Sequence, residues 1–177
     1  MDPLFAAAPR FDQPLAVLKH CHDRIRKQLA TLEKLPAHLA AHGADEQAQQ
    51  AASAILRYFI QAAPLHHEDE EINLLPLLSA HAPSEEQLVL AQILPTILNQ
   101  HHRMAELWQQ LEVALQAIAR GETIVLADSL LKEYRELYQE HMQIEETQIA
   151  PMAARSLNEA QFAEIGRAMQ ARRGINV

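Results

Sequence analysis

His141-Met142-Gln143-Ile144-Glu145-Glu146-Thr147-Gln148-Ile149-Ala150-Pro151 has a twin earlier in the chain, His66-His67-Glu68-Asp69-Glu70-Glu71-Ile72-Asn73-Leu74-Leu75-Pro76. Both read His-x3-Glu-Glu-x4-Pro. Residues four apart lie one above the other on the same face of a helix. Each copy therefore aims one imidazole and one carboxylate at the same point. Two such helices facing each other converge two nitrogens and two carboxylates, the beginning of a metal site. A single copy reads as a solvated His–Glu pair, common on any helix. Duplication with matching Glu-Glu and Pro offsets is what gives the metal reading its weight.

Around these twins stands a chain of 177 residues, enough for one domain with a real core. Only four glycines and an abundance of Ala, Leu, Gln and Glu argue for helices throughout. The formal net charge of −8 and the lack of a basic stripe exclude a nucleic-acid partner. Cys21 is the only cysteine, which rules out a disulfide framework and a thiolate zinc site. Leu4 to Ala8 is too short, and too closely flanked by prolines, for a signal or a membrane span. The expectation is a soluble cytoplasmic protein with no membrane partner.

Met1 to Pro14 holds three prolines and no period, so residues 1–14 read as an N-terminal surface arm and 15–177 as one helical domain. Leu15, Leu18, His22, Ile25, Leu29 and Leu32 start a first helix, which Pro36 kinks or ends and Gly43 stops. A second begins near Asp45, bends at Pro64 and closes near Leu78. Ser84 with Gln87 suggests a capping box for a third helix. That helix carries Leu88, Leu94, Ile97, His101, Met104, Trp108, Leu111 and Leu115 on one face, kinks at Pro95 and ends at Gly121. A fourth runs from about Thr123 to Ala154, and a short fifth is capped by Asn158 and Gln161 and stops at Gly174. The expected fold is all-α: an antiparallel up-down four-helix bundle with a short fifth C-terminal helix.

The first and third helices match as well. His22, Ile25, Leu29 and Glu33 align with His101, Met104, Trp108 and Glu112. Each half of the chain is thus a helix with one inward His followed by a helix with His-x3-Glu-Glu. His101 and His141 lie equally far from the Gly121 turn, and His22 and His66 similarly far from Gly43, so all four reach one level of a bundle. Ile97, Met104 and Trp108 share a face with His101, whereas Glu106 and Gln109 share one with His102. His67 with Glu71 has the same spacing as His66 with Glu70; only the alignment to Pro76 and the second copy favours the latter pair.

Six groups remain: His22, His66, Glu70, His101, His141 and Glu145. Buried without partners, each would cost several kcal/mol, at the upper end of the scale for buried polar groups. Four nitrogens and two carboxylates exceed what one tetrahedral zinc takes and suit two metals with bridging carboxylates. A lone inward His is ordinarily a core residue bonded to a carbonyl; one from each of four helices at one level is not.

On these elements the chain, from Leu15 to about Met152, resembles the hemerythrin-like family, the HHE cation-binding domain. The resemblance implies a non-haem di-iron centre of two iron ions, bridged by Glu70 and Glu145 with the four histidines as terminal ligands. It also implies a small diatomic or peroxide ligand, bound or sensed. Two departures stand out. Oxygen carriers of the family place two histidines four apart on the third helix, where Ile97 and Ala105 here flank His101; and Glu145 stands where they have Asp. The His and Glu set is closer to the family's iron–sulfur repair proteins, whose N-terminal cysteine-containing domain is not seen in this chain. Peroxide breakdown, iron donation to damaged clusters, or a helical module with a structural metal are the alternatives. Cys21 reads as a buried small residue, His38, His42 and His81 as solvated helix-end residues, and Glu68 to Glu71 as in part a solvated face. Tyr58, Tyr134 and Tyr138 read as core residues able to serve as donors to a ligand.

Overall fold

The computed structural model describes residues 9–175, and among them every regular element is a helix. The element order is α1 (Pro14–His42), α2 (Glu46–Gln61), α3 (Ala63–Glu68), a first π-helical segment (Asp69–Leu74), α4 (Leu75–His81), α5 (Ser84–Ala119), α6 (Asp128–Ile144), a second π-helical segment (Glu145–Ile149), α7 (Ala150–Ser156) and α8 (Glu159–Arg172). The long helices touch in a closed ring: α1 meets α2, α2 meets α5, α5 meets α6 and α6 meets α1.

Local chemistry sets most boundaries. Pro14 opens α1, where its missing N–H had no helical partner to lose. Gly43, with φ 68°, ends α1, its N–H bonded to the Leu39 carbonyl. Asp45 caps α2 by accepting from the Ala48 N–H, and Asn158 and Gln161 form a reciprocal capping box at α8.

Several sequence expectations need correction. Pro36 does not end α1, which runs on to His42 and stops at Gly43. The capping box proposed at Ser84 is absent. Pro83, extended at ψ 152°, is already the flanking residue, so Ser84 is inside the helix and Gln87 donates instead to the Ala82 carbonyl. Leu88 does not join the core; it is 72 % exposed, and Leu90 is buried in its place. The fourth helix begins at Asp128 rather than Thr123. Thr123, Ile124 and Val125 are β-branched and favour extended backbone, and Thr123 Oγ1 accepts the Ala44 N–H at 3.1 Å, tying this stretch to the α1–α2 turn. Of the expected N-terminal arm, residues 1–8 lie outside the described region. Residues 9–13 form a turn in which Phe11 packs on the core.

Both motif copies are π-helical at their centres. The Leu75 N–H bonds the Glu70 carbonyl and the Ala150 N–H bonds the Glu145 carbonyl, each reaching back five residues instead of four. Each of these donors immediately precedes a proline, Pro76 or Pro151, which has no N–H to offer. The wider turn thus coincides with the glutamate that each copy sends inward, a placement typical of π-helical turns at functional sites.

The apolar interior is in two parts. One holds Ile25 and Leu29 of α1, Phe59 of α2, Met104 of α5 and Tyr134 of α6; the other holds Val17, Leu74, Ile97 and Ile149. In each of four runs, α1, α2 through α4, α5 and α6 through α7, the motif histidine or glutamate falls between the two parts. The order of the parts reverses from one run to the next: α1 and α5 enter the second part first, while the runs that begin with α2 and α6 enter the first part first.

The last helix is fastened at two places. Gly166 lies so close to the Phe11 carbonyl that a Cβ there would come within 2.0 Å of its oxygen. Arg172 and Arg173 hold Asp69, a fully buried carboxylate in the first π segment, and Arg172 also bonds Asn73 at 2.8 Å. Two guanidinium groups give that charge the paired environment that burial demands.

Candidate metal centre

The layer between the two apolar parts contains His22, His66, Glu70, His101, His141 and Glu145, none more than 6 % exposed. Their polar atoms fall into two overlapping sets, each with all ligand atoms within 4.8 Å of one another. His22, His66, Glu70 and Glu145 form the first; Glu70, His101, His141 and Glu145 form the second. Both glutamates belong to both sets.

The glutamates are placed crosswise. Glu70 turns Oε1 to His66 Nε2 at 3.3 Å, its partner four residues earlier, and Oε2 to His101 Nε2 at 3.5 Å. Glu145 turns Oε1 to His141 Nε2 at 3.3 Å and Oε2 to His22 Nε2 at 3.0 Å. Each carboxylate therefore offers one oxygen to each histidine pair. His101 Nε2 and His141 Nε2 are 3.1 Å apart, and the His22 and His66 rings meet edge-on with centroids 4.9 Å apart.

Closeness here does not amount to satisfaction. His22 Nε2, both nitrogens of His66, Glu70 Oε2 and both oxygens of Glu145 are buried and make no aligned hydrogen bond. Burial, reinforced by neighbouring imidazoles, holds His66 and His141 well below the usual imidazole range, so each keeps a free lone pair at neutral pH. Burial and the nearness of Glu145 push the Glu70 carboxyl well up. Burial lowers His22, but the Glu145 carboxylate against its Nε2, the charge of Glu70 and the Glu146 bond at its Nδ1 outweigh that and raise it. A set of orphaned nitrogen and oxygen donors around two closely placed buried carboxylates is what a cation would complete. Imidazole and carboxylate in this mixture suit iron, zinc or manganese.

An outer layer aims the donors. Glu146 Oε1 lies 3.0 Å from His22 Nδ1 and is itself held by Arg26 at 2.9 Å. Glu71 Oε1 lies 2.5 Å from His101 Nδ1, and Gln100 Oε1 lies 3.2 Å from His141 Nδ1. So the second glutamate of each Glu-Glu doublet takes the outer nitrogen of a histidine on another helix, which leaves Nε2 facing the centre. Glu71, in an acidic run that reads from sequence as in part a solvated face, is exposed and still bonds a ligand histidine. The repeated doublet was the available signal, because a purely solvated residue has no reason to recur at one offset in both copies. Gln100 carried no such signal.

Of the other histidines, His20, His42, His81 and His102 are exposed, and His38 pairs with Asp45 at 2.8 Å, away from the centre. His67 is different. Its ring stacks on His101 with centroids 4.0 Å apart, and its ligand atom falls within 4.8 Å of those of His101 and His141. Tyr58 donates to the Cys21 carbonyl at 3.1 Å, beside His22, rather than to a ligand side chain.

A cavity of about 540 Å³ approaches the centre from one side. Leu15, Leu18, Leu74 and Ile149 give it apolar walls, and His22, Glu70 and Glu145 also line it. His66, His101 and His141 do not. No described helix is long and apolar enough to cross a membrane.

Residues 13–153 match the hemerythrin HHE cation-binding domain. An uncharacterised protein of Haemophilus influenzae is 28 % identical over 165 residues, spanning 93 % of this chain and 92 % of that one.

Proposed function

Because the chain belongs to the hemerythrin HHE cation-binding family, we propose that it is a cytoplasmic non-haem di-iron protein that binds or senses a small ligand such as oxygen, nitric oxide or peroxide. Its helices are read as an antiparallel up-down four-helix bundle, supported by the closed ring of contacts and by the alternating order of the two apolar parts along the chain.

The observation that carries the reading is the crosswise placement of Glu70 and Glu145, each with one oxygen toward each histidine pair. Two carboxylates so placed suit a pair of cations better than a single one. In this reading His22 and His66 would hold one ion, His101 and His141 the other, and Glu70 and Glu145 would each offer an oxygen to both. Iron supplies one-electron chemistry and an affinity for oxygen-, nitrogen- and peroxide-type ligands.

The protein's own residues set the terms of access. Leu15, Leu18, Leu74 and Ile149 admit small apolar molecules on the His22 side and keep bulk water sparse. Glu146 and Glu71 fix the outer nitrogens of His22 and His101, so those imidazoles do not turn away when a ligand arrives.

Elemental analysis of protein purified from its own cells, followed by anaerobic reduction and exposure to oxygen, tests this. Two irons per chain and rapid oxidation, with azide or nitric oxide still changing the spectrum, are expected. One metal or none at full occupancy would refute the di-iron reading. A colour change fully reversed on lowering oxygen pressure would point instead to an oxygen carrier.

A further inference from the structure

We propose that His67 is a fifth imidazole of the centre, a ligand to the cation served by His101 and His141. The proposal rests on the metal reading above and adds a residue to it. His67 follows His66 directly, and in a helix adjacent residues point about 100° apart. Sharing the centre with His66 would ordinarily be impossible for it. The structure nevertheless brings its ligand atom within 4.8 Å of those of both His101 and His141.

Three observations converge on coordination rather than packing. His67 Nε2 is buried and has no hydrogen-bond partner, although a histidine retained only for packing would be expected to bond a carbonyl or a water. The ring lies nearly parallel to that of His101, 4.0 Å away with 15° between planes, which brings its edge alongside its neighbour's. Its own i+4 carboxylate, Glu71, is already engaged by His101 Nδ1 at 2.5 Å, so His67 is not half of a surface His–Glu pair.

The consequence is a lopsided centre. The ion at His101 and His141 gains a third nitrogen, while the ion at His22 and His66 keeps two and lies beside the cavity lined by Leu15 and Leu18. An added ligand would then bind on the His22 side.

The experiment compares wild-type protein with His67→Ala and His67→Phe, all reconstituted with iron(II), by X-ray absorption and by competition with a chelator. His67→Phe keeps an aromatic ring on His101 but has no nitrogen, so it separates stacking from coordination. Both variants are expected to lose one imidazole per chain from the scattering shell. Both should also weaken one of the two binding events by about tenfold to a hundredfold. Free imidazole should restore the lost nitrogen in His67→Ala, and melting of the metal-free variants checks that they fold. An unchanged nitrogen count and affinity in both variants would overturn the role of His67 while leaving the centre intact. A wild-type protein that takes up no metal would overturn the centre and the role of His67 together.

Discussion

Glu71 grips His101: its Oε1 lies 2.5 Å from the imidazole Nδ1, although the Glu71 side chain is 41 % exposed and the His101 side chain only 5 %. A surface carboxylate thus governs a buried ring. Glu71→Ala is expected to lower metal affinity by about tenfold to a hundredfold, and Glu71→Gln by less, since an amide oxygen can still accept from Nδ1. Chelator competition measures both. Wild-type affinity in Glu71→Ala would mean that the ring is held by packing alone.

Removing metal should cost stability. The orphaned atoms of His22, His66, Glu70 and Glu145 have no alternative partners in the protein. At metal concentrations about a thousandfold above the dissociation constant, linkage gives roughly 4 kcal/mol. For a chain of this size that is roughly 8–16 °C in melting temperature. Calorimetry of the holo protein and its chelated form checks it, and coincident transitions would count against the centre.

The metal-free protein should weaken in mild acid. His66, His67 and His141 are held well below 6.5, first of all by burial. A folded pKa depressed below the unfolded one gives stability that is present above 6.5 and lost as pH falls through the folded values. Glu70 and His22, both raised, work the other way: their contributions are present at low pH and lost as pH rises. Below 6.5 three lowered imidazoles act against these two raised groups, and that balance sets the expected direction, a loss on the acid side. Urea midpoints at pH about 7.5 and about 5.5, either side of the free imidazole value, are expected to drop on the acid side. An equal or higher midpoint in acid would show that the buried trio does not control stability.

Cys21 should be chemically quiet. Burial pushes its thiol up to about 11, so almost no thiolate exists at neutral pH. Iodoacetamide is expected to label it far more slowly than a free thiol in native protein and at the ordinary rate in denaturant. Fast native labelling would contradict the packed α1 environment.

Gly166→Ala should destabilise, against helix propensity. In an open helix this change gains about 1 kcal/mol. Here the new methyl would collide with the Phe11 carbonyl, and forced overpacking costs about 1–3 kcal/mol. Urea unfolding decides the sign.

The all-helical class and the gathering of His and Glu side chains are legible because both depend on periods: 3.6 for the helices, four for each His–Glu pair, and the recurrence of the pair itself. The burial of His101 and exposure of His102 follow from the apolar neighbours of one and the polar neighbours of the other. Three features escaped. A π-helical turn adds one residue to a single turn, which neither a four-residue His–Glu spacing nor a 3.6 period reveals, so Asp69–Leu74 and Glu145–Ile149 read as plain helix. The approach of His67 to His101 depends on how α3 and α5 pack, which no single-helix period encodes. The late start of α6 at Asp128 turns on a bond between Thr123 and Ala44, 79 residues apart in sequence.

The clasp on Asp69 also bears on when the protein can mature. Asp69 is made early, whereas Arg172, one of the two guanidinium groups that neutralise it, follows 103 residues later. During synthesis, at about 5–20 residues per second, the first half-site emerges with an uncompensated carboxylate for several seconds. The second glutamate, Glu145, is also still to come. An ion captured in that interval would meet half of its donors on an unlocked turn. On the di-iron reading, loading would be a step of the completed fold rather than of the nascent chain, and metal-starved cells would hold folded, empty protein.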